Sequence, residues 1–227
     1  MQRQSQSILV TRTDPLEALC YHFNIRPTSP PTGIPLGATF DMRVLRDAHM
    51  PTHVIAATQQ DQNSSTTPVM LPIDRAMFEE AFPNEDRIII PQAQPGSTSP
   101  VPRYITSTNG RELVVALPVI PITVPHVRSL ALLLLFGMGL ETDFNLLSWS
   151  LLPVNVVEEF PNAAAMSLIL SKYPDDKFSS IYRQCHGIWM NSLALGLEHP
   201  RMVQLLQTAF NIAAEARKIR HGSSRHA

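Results

Sequence analysis

Cysteine is nearly absent from this chain. Cys20 and Cys185 are the only two, and pairing them would close a loop spanning most of the sequence. No disulfide framework is therefore expected, and a reducing compartment fits better. Long apolar runs are missing too. The greasiest stretch, SLALLLLFGMGLE, holds twelve uncharged residues between Arg128 and Glu141, whereas a membrane-spanning helix needs about twenty. The opening MQRQSQSILVTRTD has an apolar run of only Ile8, Leu9 and Val10, too short for the core of a signal peptide. A soluble protein of the nucleus or cytoplasm is expected, neither secreted nor membrane-spanning. Charge of one sign is lacking as well. Eighteen Lys and Arg face nineteen Asp and Glu, so no global field selects nucleic acid or an acidic membrane. The motifs G-x-S-x-G, G-x-G-x-x-G, C-x-x-C and the P-loop do not occur, which removes the commonest signatures of nucleophilic, nucleotide and redox chemistry.

What is present is a chain of 227 residues, 44% apolar, enough for one domain with a real core. Twenty prolines outnumber nine glycines, and most of the prolines fall before residue 126. Extended segments and loops are expected first and helices afterwards. That order predicts an α+β fold: a small N-terminal β-sheet packed against a C-terminal helical bundle. The organisation expected is an irregular Pro-rich arm over 1–40, one α+β interaction domain over 41–220 and a basic tail over 221–227.

Within the arm, Leu16, Leu19, Cys20 and Phe23 sit at helical spacing, so a short helix over 15–23 is allowed. HVIAAT (53–58) and PVMLPI (68–73) read as strands joined by the polar turn DQNSST (61–66). Asp74 is placed to cap a short helix carrying Met77, Phe78, Ala81 and Phe82, which Pro83 stops. Asn109-Gly110 reads as a hairpin turn between YITST and RELVVALPVIPITV. Pro118 and Pro121 make the second of these an edge strand, or one that bends.

The leucine-rich stretch carries apolar side chains on more than one side. Val127, Leu130, Ala131, Leu134 and Met138 share one face; Leu132, Leu133 and Phe136 lie off it. Such a helix needs neighbours all around, so it is expected at the centre of the domain, touching the sheet and other helices. Two short helices flanking Pro153 follow, then one over 162–173. Asp175 is placed as the cap of a helix whose stripe is Phe178, Ile181, Tyr182, Cys185, Ile188, Trp189, Ser192 and Gly196. Pro200 opens the last helix.

Candidate chemistry is sparse. Cys185 and His186 are adjacent, and neighbours on a helix diverge by about 100°, so the pair reads as a core thiol beside an unrelated imidazole. His49 and His53 have the spacing of zinc ligands on a helix, but Pro51 denies them that helix. Glu79, Glu80, Glu85 and Asp86 read as solvated acids at a helix end. Arg217, Lys218, Arg220 and Arg225 could touch phosphate or serve in nuclear import, but Lys and Arg also complement the dipole of a last helical turn. Nucleic acid is not expected as a direct ligand. Trp189 belongs to the buried stripe, and Trp149, if exposed, is the better anchor for a partner. No catalytic residue, cofactor or metal is expected.

MPTHVIA, VMLPID with the FEEAF helix, ALPVIPITVP, and HGIWMNSLALGL with the closing helix together resemble the clampless proteins of basidiomycete fungi. The resemblance runs in order over about residues 50–216. It implies a non-enzymatic regulator of sexual development, acting in clamp-cell formation and the dikaryon through other proteins, transcription regulators among them. The order of elements is also similar to that of a BTB/POZ-like domain. Such domains bind proteins, often as dimers, and a homodimer would offer Leu132, Leu133 and Phe136 a second place to be buried. The alternative reading is a small hydrolase or transferase with an unfamiliar site near His126, His53 or Cys185.

Overall fold

Strands form where apolar and β-branched residues run between turn formers. The computed structural model describes residues 7–31, 35–46, 48–60, 67–83, 100–107 and 110–223. Among these, β1 (Thr39–Arg43), β2 (His53–Gln59), β3 (Val69–Ile73), β4 (Arg103–Ser107) and β5 (Gly110–Val124) form one open mixed sheet. Its order is β1-β5-β2-β3, with β4 also on β5. The expected pair β2 and β3 is antiparallel, with His53 opposite Ile73. β4 and β5 pair from Ser107 opposite Gly110 outward. Gly110 opens β5 with φ of 110°, a value that disfavours any side chain. The predicted turns at 61–66 and Asn109 lie outside the described residues.

β5 is not an edge strand. It is the centre of the sheet, antiparallel to β1 and β4 and parallel to β2. The prolines fit because the backbone groups of alternate residues face alternate neighbours. Odd-numbered residues face β1: Leu113 O accepts from Val44 N, and Val119 N donates to Ala38 O. Even-numbered residues face β2, as Val124 O does in accepting from Gln60 N. Pro118 therefore faces the β2 side, beyond the last β4 partner at Val114 and before the β2 ladder begins at Val119. Pro121 faces the β1 side, past the last β1 partner at Pro118. Each missing N–H falls where no strand needs it.

The helices are α1 (Ile8–Thr11), α2 (Pro15–His22), α3 (Arg75–Ala81), α4 (Leu130–Gly137), α5 (Phe144–Leu151), α6 (Val154–Val157), α7 (Ala163–Ser171), α8 (Asp175–Leu195) and α9 (Pro200–Ser223). Short polar caps start several of them. Asp74 Oδ1 accepts from Met77 N at 3.1 Å, and Asn162 Oδ1 from Ala165 N at 3.1 Å. Asp175 is not a cap, contrary to expectation. Pro174 holds that position without a side-chain bond, and Asp175 is the first helical residue. Pro153 separates α5 from α6 as expected. Gly196 ends α8 in the left-handed region, φ 72°, where a glycine costs least.

The stretch before residue 40 contributes to the core. Leu19, Cys20 and Phe23 of α2 and its C-cap are fully buried, and β1 begins at Thr39. Apolar spacing there outweighed the prolines around it. At the other end α9 continues to Ser223, so the first residues of the expected tail are helical.

α4 lies inside. Leu130 to Phe136 are buried without exception, Leu133 and Leu134 at 0% exposure. α2, α3 and α8 pack on it, and α2 in turn packs on β3. An eight-residue helix with no polar face has its seven apolar side chains covered by this one chain. Leu133→Ala is expected to lower the free energy of unfolding by about 2–5 kcal/mol, the range for a buried leucine that leaves a cavity. Urea denaturation measures it, and a loss below about 0.5 kcal/mol would place Leu133 at a surface.

Candidate functional site on the outer helical face

The turn from β5 into α4 carries a hydrogen-bonded polar cluster that includes buried Ser129 and Asn191. Pro125 ends the strand, and a 3-10 turn over Val127–Ser129 leads into the helix. Gly187 and Asn191 stand one helical turn apart on α8, hence on one face, and both meet His126. Asn191 Oδ1 accepts from His126 N at 3.0 Å, while its Nδ2 donates to His126 O at 2.7 Å and to Ser129 Oγ at 3.2 Å. Ser129 Oγ lies 2.9 Å from His126 Nδ1. A Cβ added to Gly187 would occupy the His126 ring; only glycine permits that approach.

A serine bonded to a histidine invites comparison with a nucleophile and its base. The geometry argues for a lock instead. Ser129 and Asn191 are 0% exposed, and a nucleophile must reach its substrate. Asn191 satisfies both backbone groups of His126, as a buried corner requires. Burial first, then the charges of Arg128, Arg183 and His186, push the His126 imidazole below its usual range. Of this cluster the sequence pointed to His126 alone, and the four-residue spacing of Gly187 and Asn191, beside the apolar stripe, was the legible signal for the rest.

The other sequence candidates stay apart from it. Cys185 is fully buried, its Sγ donates to Leu151 O at 3.4 Å, and desolvation pushes its thiol up to about 12. Cys20 is likewise pushed up to about 12, by burial and then by Asp14 and Glu17. Thiols so protonated are poor nucleophiles. His53 is buried beside Thr52 Oγ1 at 3.0 Å, and His49 is exposed next to Phe23. No group of His, Cys, Asp and Glu able to hold a metal ion occurs among the described residues. Glu79 pairs with Arg75 at 2.6 Å, one turn away; Glu85 and Asp86 lie outside the described residues.

Leu132, Leu133 and Phe136 are interior groups of one chain, 2% exposed or less. They are unavailable to a second copy, because α2, α3 and α8 already cover them. Trp189 is half-buried against the core. Trp149 is half exposed, and Val154 beside it is 54% exposed. These two border a shallow groove of about 630 Å³ with Leu152, Pro153, Tyr173 and Ile181.

Lys177 and Ile181 of α8 line that groove, and the adjacent faces of α8 line a second cleft. There Phe178, Tyr182 and Arg183 meet Arg217, Arg220 and His221 of α9. Arg220 is a structural staple rather than a free contact. It donates to Ser171 O and Tyr173 O, each at 2.6 Å, pairs with Asp175 and lies over Phe178. Lys218 pairs with Glu215 at 3.0 Å. Arg217 lies over the Tyr182 ring at 4.8 Å.

No helix among the described residues is long and apolar enough to cross a membrane. No protein-family model, curated protein or solved structure matches this chain.

The His126 corner has a consequence for stability. Its folded pKa lies below the ordinary 6.5, so the unfolded chain takes up the proton first as pH falls. The stability contributed by neutral His126 is complete above 6.5 and is lost as pH falls through the lower folded value. Urea midpoints are expected to drop as pH falls below the ordinary histidine value, and His126→Asn is expected to flatten that slope. A midpoint independent of pH over this window, or an unchanged slope in the variant, contradicts the assignment.

Proposed function

We infer that this chain is a non-enzymatic protein-interaction module that docks its partner on the outer helical face, with Trp149 as the anchor. The observation that carries this reading is the exposure of Trp149 and Val154 beside a groove floored by Leu152, Tyr173 and Ile181. A half-exposed tryptophan next to an apolar depression is the type of group that dominates binding energy at interfaces. The groups that would support catalysis are used elsewhere. Both thiols are buried and protonated, and Ser129 is sealed behind Asn191.

The resemblance of MPTHVIA, ALPVIPITVP and HGIWMNSLALGL to the clampless proteins adds a biological role: regulation of sexual development in a basidiomycete, through nuclear transcription regulators. A BTB/POZ-like kinship rests on element order alone, a level at which fold does not carry function. Self-association through α4 is no part of the proposal, since that helix is covered within the monomer.

Affinity capture from dikaryotic mycelium tests the reading. The wild-type chain is expected to retain a transcription regulator, and Trp149→Ala to lose at least about tenfold of that capture, the effect of removing a hot-spot anchor. Circular dichroism and melting temperature should stay unchanged. Equal capture by both proteins, or no regulator retained by either, overturns the proposal.

A further inference from the structure

The cleft between α8 and the end of α9 encloses about 560 Å³, the size of a small-ligand site. Its lining is basic. Asp175 is the one carboxylate among the lining residues, and Arg220 already pairs with it. That leaves Arg183 from α8 and Arg217 from α9, with His221 beside them. Both arginines are exposed, and neither makes an ion pair among the described residues. Both are nonetheless held in place. Arg183 Nε donates to Ser179 O at 3.2 Å, a bond that does not use its terminal nitrogens, and Arg217 rests on Tyr182. Pre-positioned guanidinium forks from two helices suit a small anion with several oxygens and more than one negative charge.

The aromatic walls narrow the ligand further. Arg220 lies over Phe178 at 4.7 Å. Tyr182 carries Arg217, and His186 stacks on it at 5.9 Å with the rings 5° from parallel. Rings already engaged this way make a poor platform for a nucleobase. Asp176, next to Asp175 on α8, and Glu215, two residues before Arg217 on α9, are exposed, so the neighbouring surface carries both signs of charge and does not match a flat anionic membrane. The first turns of α8 also separate this cleft from the Trp149 groove, with Lys177 and Ile181 on one side and Ser179 and Arg183 on the other. An extended chain crossing α8 reaches both.

We propose that the α8–α9 cleft recognises a phosphomonoester carried on a serine or threonine of the partner polypeptide. Arg183 and Arg217 clasp the phosphate oxygens, and His221 completes the basic rim. The inference rests on the interaction reading above and names the chemistry of the partner segment.

The full chain is titrated by fluorescence anisotropy with a degenerate phosphoserine peptide library, its unphosphorylated twin, inorganic phosphate and pure phosphatidylserine vesicles. The phosphorylated library is expected to bind at least about tenfold tighter than its twin, as charge-assisted bidentate contacts imply. Arg183→Ala is expected to abolish that difference, and Arg183→Lys, which keeps charge but not the fork, to restore only part of it. Among the described residues Arg183 bonds only to its own helix, so an unchanged melting temperature separates recognition from folding. Equal binding of the two libraries, a difference that survives Arg183→Ala, inorganic phosphate binding as tightly as the peptide, or vesicles outcompeting it, each overturns the proposal. If capture of the regulator depends on Trp149 while phosphorylation has no effect, the cleft inference fails alone. If phosphorylation matters and Trp149 does not, the groove reading fails alone.

Discussion

The structure depends on hiding α4. Its apolar side chains point in every direction, and each buried leucine or phenylalanine is worth about 1.5–3 kcal/mol relative to exposure. An eight-residue helix has little stability of its own in water. Packing must supply it, and α2, α3 and α8 do. The fit is close. A Cβ on Gly137 would come 2.6 Å from Phe82 Cζ, which belongs to the end of α3. The Pro-rich first part of the chain is drawn into the core for the same reason, because α2 is one of the surfaces that α4 requires. Asn191 then fixes the point at which β5 hands the chain to α4, holding both backbone groups of His126.

A covered α4 also shapes what the chain can do at its surface. The apolar surplus that suggested a dimer seam is spent inside one molecule, and Trp149 and Val154 are among the apolar groups left exposed. Trp149 and Val154 lie on α5 and α6, the small helices interrupted by Pro153. α8 serves both layers. Cys185, Ile188 and Asn191 face inward, while Lys177, Ser179 and Arg183 border the two outer clefts. One helix thus lines the interior and both outer clefts.

Where a residue's role is set by local pattern, it could be read in the sequence. The central helix, the β2–β3 pair, the Asp74 cap, the helices flanking Pro153 and the α8 stripe all follow from periodicity and capping chemistry. The exceptions arise where a distant partner decides. Pro118 and Pro121 signal an edge strand only if both sides of β5 need donors throughout; here the neighbouring strands end where the prolines stand. Asp175 has the composition of a cap, yet Arg220, far along the chain, pairs with its carboxylate. Arg220 reads as a solvent-facing base and is tied to Ser171 and Tyr173. Arg217, three residues earlier, lines the same cleft without an ion pair among the described residues. Only the crossing of α8 and α9 separates those roles.

Amide hydrogen exchange, followed in the native protein across a range of protein concentrations, addresses the enclosure of α4 most directly. Amides of Leu132 to Gly137 should be among the slowest in the molecule, opening only with global unfolding, and their rates should not vary with concentration. Fast exchange there, or protection that grows as the protein is concentrated, would mean that α4 is covered by a second chain or not at all.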